Sequence, residues 1–244
     1  MISRIILKIH GDYNKRLGAY KITHILERDY GIKVSVGRVY RLIQKLNLPT
    51  MSTSKPFIKT SKENSEDTKL CNHLKQEFNP PEPNMVWASD FTYIKVNGVW
   101  FYLCIIMDLF SRKIISWNIS NKADSNLIMS TFNDAYNKRN CPTGLMFHSD
   151  RGTQYTAAPF RKLLDKFNVV QSFSKKGYPF DNACCESFFK YLKKEECYRK
   201  NYHSVGELKL SLFEYIEGFY NLKRPHYSLG FMTPNERELA FYER

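Results

Sequence analysis

Along the first fifty residues, apolar positions recur at helical spacing. Residues 2–10 predict a short first helix. From Gly18 to Tyr30, Ile22, Ile25 and Leu26 fall on one face, and Gly31 is placed to close the helix in the left-handed conformation. Ser35 then predicts the N-cap of a second strong helix. In it Val36, Val39, Tyr40, Ile43 and Leu46 repeat at i, i+3, i+4, i+7 and i+10, and Pro49 is expected to stop it. The opposite face carries Arg38, Arg41, Gln44 and Lys45. Two helices joined by a tight turn, the second basic on its outer face, suit a helix-turn-helix that lays its second helix in the major groove of DNA. The alternative is a helical packing module with a solvated basic face.

The pattern then dissolves. Residues 50–70 are rich in Ser, Thr and Lys without an apolar period and read as a linker. A short helix is expected over 70–78, after which Pro80, Pro81 and Pro83 force an extended approach. From Met85 the period becomes two. A strand runs to Val96, Asn97-Gly98 gives a hairpin signal, a second strand follows, and Ser111-Arg112 turns the chain into a third. Helical spacing covers 123–138, a short strand ends at Asp150, a helix spans 157–167, and a strand follows. A loop over 175–181 leads into a helix over 182–196, with at least one more over 205–220. Three meandering strands followed by alternating helix and strand predict an α/β architecture, a mixed sheet flanked by helices. The expected domains are 1–50, a linker over 51–84, and 85–240.

Charge sharpens this division. Of the net +13, residues 1–62 hold +10 and residues 63–244 only +3. A small, strongly basic module calls for a polyanion, because Lys and Arg displace condensed counter-ions from phosphates. No run of about 18 apolar residues occurs, so no membrane partner is expected. The opening MISRIILKIH lacks the apolar stretch of a signal peptide. A soluble cytoplasmic protein is the expectation. Cys71, Cys104, Cys141, Cys184, Cys185 and Cys197 form no C-x-x-C pair and read as reduced, small apolar residues, with neither zinc nor disulfides.

Three acids are candidates for chemistry. Asp90 lies inside the first strand, on one face with Val86, Ala88, Ile94 and Val96, where a lone carboxylate is costly unless something pairs with it. Asp150 ends a strand, where open α/β sheets place ligands, although an Asp before Arg151-Gly152 also suits a plain turn. Glu186 sits near the start of a helix that Asp181 or Asn182 can cap, and there it also suits the positive helix end. Cys185, Phe188, Phe189 and Leu192 form the expected buried stripe. Glu186, Lys190 and Lys193 lie together beside it, as metal carboxylate and phosphate-binding ammonium groups would, or as a surface pair. His148, close to Asp150, invites a general-base reading.

Thirty-five residues separate Asp150 from Glu186, and each acid stands in its own local motif: W-A-S-D-F-T-Y-I at 87–94, H-S-D-R-G-T-Q-Y at 148–155 and D-N-A-C-C-E-S-F-F-K-Y-L-K at 181–193. A fourth, Y-N-L-K-R-P-H-Y-S-L-G, covers 220–230 and is followed by Thr233-Pro234. With these motifs the chain resembles the integrase and transposase superfamily, which carries an Asp-Asp-Glu triad on a ribonuclease H-like fold. More narrowly, it is similar to the second-frame protein of the bacterial insertion-sequence family whose transposase arises from two overlapping reading frames (insertion-sequence family three). The likeness extends over nearly the whole chain, including the small helix-turn-helix-like module.

The resemblance implies metal-dependent cleavage and strand transfer on double-stranded DNA, at transposon ends and target. It implies Asp90, Asp150 and Glu186 as catalytic metal ligands for two Mg2+ ions, with Mn2+ as a substitute. Asp90 would serve both ions, and Asp150 and Glu186 one each. Such chemistry needs a few oxygen ligands and in-line geometry. Lys193, seven residues after the glutamate, matches the family's DNA-holding basic residue, with Asn182 and Lys190 as further candidates. Arg38, Arg41 and Lys45 are the expected DNA contacts of the first module. A homo-oligomer on DNA, associated with the bacterial nucleoid, and a first-frame helix-turn-helix protein or a fusion to it are the implied partners. Two rivals stay open: a hybrid-degrading ribonuclease on the same fold, and a DNA-binding regulator that has lost catalysis.

Overall fold

The computed structural model describes residues 1–49, 70–175 and 178–243, so most of the expected linker lies outside the described residues. The chain divides into two compact units: Met1–Ser61 with Pro225–Phe231, and Lys62–Arg224 with Met232–Arg244.

In the first unit, α1 (Ile2–Asp12), α2 (Ala19–Tyr30) and α3 (Val36–Lys45) enclose Ile6, Ile9, Leu17, Ile22, Ile25, Leu26, Val39 and Ile43. Gly31 takes φ 64° and ends α2, and the Ser35 side chain accepts from the Arg38 N–H to start α3. Two expectations are corrected here. Val36 and Tyr40 are exposed, because they flank a narrow seam that Val39 and Ile43 fill. Pro49 does not stop α3. Asn47 does, at φ 49°, with its own N–H bonded to the Gln44 carbonyl and that of Leu48 to the Ile43 carbonyl. That pair of bonds satisfies the orphan carbonyls before the proline is reached. In the segment 225–231 of this unit, Phe231 stacks on His24 at a centroid distance of 3.5 Å.

The second unit is built on one sheet. Its described strands are β1 (Val86–Val96), β2 (Val99–Asp108), β3 (Ile114–Ser120), β4 (Met146–Ser149) and β5 (Val170–Phe173), in the order β3-β2-β1-β4-β5. β1 to β3 form an antiparallel meander, while β4 and β5 run parallel to β1. Asn97 (φ 43°) and Gly98 (φ 86°) make the tight hairpin turn between β1 and β2. α4 (Ser125–Lys138), the short α5 (Thr153–Thr156) and α6 (Ala158–Lys166) supply an aromatic core around Phe132, whose ring lies 5.5–6.2 Å from those of Tyr136, Phe147, Phe160, Trp87 and Phe167. α7 (Ala183–Glu195) buries Cys185, Phe188, Phe189 and Leu192. α8 (Val205–Phe213) runs into a π-helical stretch, Glu214–Tyr220, and α9 (Pro234–Tyr242) ends the described chain.

The helix expected over 70–78 is not formed. Lys75 and Gln76 take positive φ, and the segment is drawn across β5 by tertiary bonds. The N–H groups of His73 and Leu74 donate to Ser172 Oγ, and Phe173 N–H donates to the Cys71 carbonyl. Nine residues of weak helical period cannot outweigh such fixed partners. Among the described residues, no helix is long and apolar enough to cross a membrane, and all six cysteines are free thiols.

Candidate active site

The register of the parallel pair brings two acids level. β1 and β4 match Val86 with Met146, Trp87 with Phe147 and Ala88 with His148, an offset of 60. Continued by two positions, the same offset sets Asp90 beside Asp150, just where β4 has ended and the strands part. Phe91 N–H donates to Asp90 Oδ1 at 2.7 Å, and Gly152 N–H donates to Asp150 Oδ1 at 2.9 Å. A Cβ on Gly152 would stand 2.4 Å from Gln154 Nε2 and 2.9 Å from Asp150 Oδ1, so a side chain there would displace the Gln154 amide and the Asp150 carboxylate. Among the described residues, no hydrogen bond reaches Oδ2 of either aspartate. Glu186 stands exposed on the first turn of α7, which packs against β1.

Electrostatics links all three acids. Burial and then the charge of Asp150 push half-buried Asp90 up to about 8. Glu186 adds to the rise, while the Phe91 N–H and Lys193 oppose it. Burial also raises Asp150, against the Gly152 N–H, and raises Glu186. Like charges with no counter-ion between them resist close approach. In keeping with that, no three His, Cys, Asp or Glu side chains among the described residues are gathered as a ready-made metal cluster. The acids share one field without sharing one point. Their donor set is all oxygen, which fits a hard divalent cation such as magnesium, and a cation would favour the charged form that burial now disfavours.

The elements bearing the acids converge on Ser89, the neighbour of Asp90. Its hydroxyl donates to the Ile105 carbonyl at 2.7 Å and accepts from the Tyr155 hydroxyl at 2.8 Å. Its carbonyl accepts from Asn182 Nδ2 at 3.1 Å. Tyr155 belongs to the turn after Asp150, and Asn182 precedes the helix of Glu186. Sequence reasoning missed this junction. Ser89 and Tyr155 both stand inside the acid-bearing motifs at 87–94 and 148–155, but nothing in the sequence says that the two hydroxyls meet. Asn182 takes the N-cap position of α7 as expected, but no side-chain capping bond is made there. The Asp181 carboxylate accepts from Asn72 Nδ2, Gln76 Nε2 and the Lys175 N–H, while Asn182 holds Ser89. Asn182 Oδ1 is buried without a partner among the described residues.

His148 is not placed for general-base work. It is buried, its Nδ1 lies 2.9 Å from Ser172 Oγ and its Nε2 3.2 Å from Ser174 Oγ, and burial lowers it to about 4. Both ring nitrogens are thus engaged in tying β4 to β5. On α7, half-buried Lys193 sets its Nζ 4.8 Å from the centre of the Tyr93 ring, and burial lowers its ammonium although Asp90 favours it. Lys190 is exposed on the same helix. Arg38, Arg41 and Lys45 are exposed on α3, in the other unit.

A family model described as an integrase core domain matches residues 80–179, and a second of the same description matches 168–234. An HTH-like domain model matches residues 2–55. Among solved structures, a chain of the simian T-cell lymphotropic virus intasome, determined by cryo-electron microscopy in complex with the PP2A regulatory subunit B56 gamma, has a similar fold. Its TM-score is 0.52 at 14% identity, covering 96% of this chain and 74% of that one. The sheet, its flanking helices and these matches define the class, a DDE polynucleotidyl transferase with an integrase core on a ribonuclease H-like fold. Closer relatives come from insertion sequences. The chain is 32% identical over 238 residues to the transposase of element IS904 from Lactococcus lactis subsp. lactis, covering 98% of this chain and 93% of the relative. It is 36% identical over 167 residues to transposase InsF of IS3A from Escherichia coli K12, covering 68% of this chain and 58% of that relative. The chain belongs to the IS3 family of insertion-sequence transposases.

Proposed function

We propose that this transposase cleaves and joins the DNA of an insertion sequence at a site built from Asp90, Asp150 and Glu186. The observation that carries the reading is electrostatic: the charges of Asp150, at the end of β4, and Glu186, on α7, both bear on Asp90 in β1, and among the described residues no hydrogen bond reaches Oδ2 of either aspartate. Asp90, Asp150 and Glu186 would hold the divalent cations, Mg2+ or Mn2+, through carboxylate oxygens. When bound, such ions stabilise charge on the attacking and leaving oxygens of the scissile phosphate. The residues of the chain bind and orient the DNA around them. Lys193 and Lys190 hold the backbone of the strand end, and Arg38, Arg41 and Lys45 grip double-stranded DNA in the groove or along its phosphates. Water is the first nucleophile and frees a 3′-hydroxyl, and that hydroxyl is the second.

In this reading residues 1–50 form the DNA-binding domain, 51–84 the linker and 85–240 the catalytic domain. The protein works as a homo-oligomer on DNA in the bacterial cytoplasm, at the nucleoid, with a first-frame helix-turn-helix protein or fused to it. The test is a joining assay. The purified chain is given labelled copies of its own element's ends and a target duplex in Mg2+ or Mn2+, with and without the first-frame protein. Cleavage followed by joining supports the proposal, and joining also separates it from a hybrid-degrading ribonuclease. Retained joining in Asp90→Asn, Asp150→Asn or Glu186→Gln would refute the site.

A further inference from the structure

The β1–β2 hairpin and the turn after α7 carry a group of rings that the fold leaves uncovered. Tyr93 is 56% exposed, Trp100 48% and Tyr198 60%. Tyr93 and Trp100 meet edge to face across the two strands, with centroids 5.1 Å apart and planes at 90°. A cation stands over each: Lys193 Nζ 4.8 Å from the Tyr93 centroid, and Lys95 Nζ 5.6 Å from that of Trp100. Tyr198 lies close enough to Tyr93 for its hydroxyl to feel that phenol. None of these rings fills a core, and large exposed aromatics clustered in one place mark a surface that binds something.

Two features say what it binds. Lysines alternate with the rings, whereas interfaces between proteins are depleted in lysine at their centres. The ledge is also continuous with the acid site. Lys193 acts on the Asp90 carboxyl and covers Tyr93 at the same time. Among the described residues, β1 pairs with β4 only as far as Ala88. Its edge from Asp90 to Tyr93 therefore faces no strand until the isolated bridge between Val96 and Tyr202. A strand whose phosphate lies at the acids would pass that open edge to bring its neighbouring nucleotides to the rings, which stand on the other face of β1 from Asp90. In a duplex both faces of a base are covered by stacking, so only an unpaired base offers a free face to a ring.

We infer that Tyr93 and Trp100, flanked by Lys95 and Lys193, form a stacking ledge for an unpaired nucleobase at the end of the DNA strand being cut. The ledge supports the splayed base while the lysines meet the phosphates on either side. This inference rests on the proposed DNA-cleaving function for its setting, but its binding arm needs no chemistry.

The binding probe is a duplex whose two terminal base pairs are mismatched, with 2-aminopurine as the terminal base, titrated with the whole chain without metal. Stacking on the ledge quenches the probe, and the quench should vanish in Tyr93→Ala and Trp100→Ala while Trp100→Phe keeps it. A fully paired end should show a weaker quench. The chemical arm compares cleavage of paired and mismatched ends in Mg2+. Trp100→Ala should lose about tenfold or more on paired ends, the factor that one base–aromatic stack carries. It should lose much less on mismatched ends, where unpairing is already complete. Circular dichroism and thermal melting of each variant confirm that it is folded. Equal losses on both ends, or an undiminished quench in both alanine variants, would overturn the ledge. So would a change of oligomeric state in sedimentation with the quench intact, which would make the surface a contact between copies of the chain. If Asp90→Asn still cleaves, the proposed acid site fails while the quench still decides the ledge.

Discussion

Glu195 and Glu186 stand nine positions apart on α7, and their surroundings are opposite. Glu195 is fully buried. Its carboxylate accepts from Arg224 Nε at 2.9 and 3.1 Å, from Arg224 Nη2 at 2.9 Å and from the Tyr215 hydroxyl at 2.8 Å, and the Arg224 guanidinium lies 4.0 Å from the centre of the Tyr191 ring. Glu186 has no such partner among the described residues, and burial of its surroundings raises its carboxyl. The contrast extends to the other acids. Burial would raise Glu238, but Arg139 and Lys113 hold it below its ordinary value, while Asp90 and Asp150 have backbone N–H groups and, among the described residues, no cation bonded to them. A chain of net charge +13 has cations to spare. It bonds them to the acids that hold the fold, whereas at the candidate site Lys193 acts on Asp90 only through space.

The sharpest way to break the comparison is to neutralise the acids one by one. Asp90→Asn, Asp150→Asn and Glu186→Gln should each reduce strand joining to background in a gel assay, with a melting temperature equal to or above that of the parent. A lower melting temperature would mean that these acids also hold the fold. Glu195→Gln should do the reverse, leaving the Arg224 charge buried without its counter-charge. Breaking one side of such a pair costs about 3–5 kcal/mol in urea unfolding, and the double change Glu195→Leu with Arg224→Met should recover most of it. Tyr155→Phe comes next. It removes one hydroxyl from the junction at Ser89, so joining should fall about tenfold for about 1 kcal/mol of stability. An unchanged rate would show that the acids are positioned without it.

The pH dependence sharpens the same contrast. Asp90 titrates at about 8 in the fold against its ordinary 3.8, so the folded state holds a proton that the unfolded chain has released. Its contribution is fully present below about pH 4 and is lost as pH rises through about 8. Asp108, raised to about 6 by burial, acts in the same direction over a lower range. Metal-free protein should therefore lose stability between about pH 4 and 8. Asp90→Asn should remove the part of the slope above about pH 6, and Mg2+ should restore stability most at the alkaline end. A flat profile above pH 6 in the parent would contradict the raised Asp90. The smallest effect belongs to the other unit. Arg38→Ala, Arg41→Ala or Lys45→Ala should each lower the salt slope of DNA binding by about one, and unchanged slopes in all three would make α3 a packing helix.

Much of the fold could be read before any coordinates. Ser35, Gly31 and the Asn97-Gly98 turn act through bonds or dihedrals within a few residues, and each is found doing what its type requires. The legible part ends where a side chain has a choice between local and distant partners. Asp181 and Asn182 both have the chemistry of helix caps, but the side chain of Asp181 is taken by Asn72, Gln76 and Lys175 and that of Asn182 by Ser89. His148 has the chemistry of a base, but Ser172 and Ser174 engage its ring. The polar residues of 70–78 could join a helix, yet Ser172 and Asp181 hold them in a turn.

By itself, the sequence determined the meander followed by alternating helix and strand, the basic first module, the place of Asp90 in β1 and of Asp150 at the end of β4, and the four motifs that place the chain among transposases. Period and local bonding depend only on neighbours along the chain. The tertiary structure alone decided the offset of 60 between β1 and β4, which sets Asp90 level with Asp150. It also decided that Ser89 bonds Tyr155 and Asn182 beside the acids, and that Arg224 pairs with Glu195 while, among the described residues, no arginine is bonded to Glu186. A parallel register and a buried ion pair join residues tens of positions apart. Which partners meet is fixed by the packing of the whole unit, and no period along the chain encodes it.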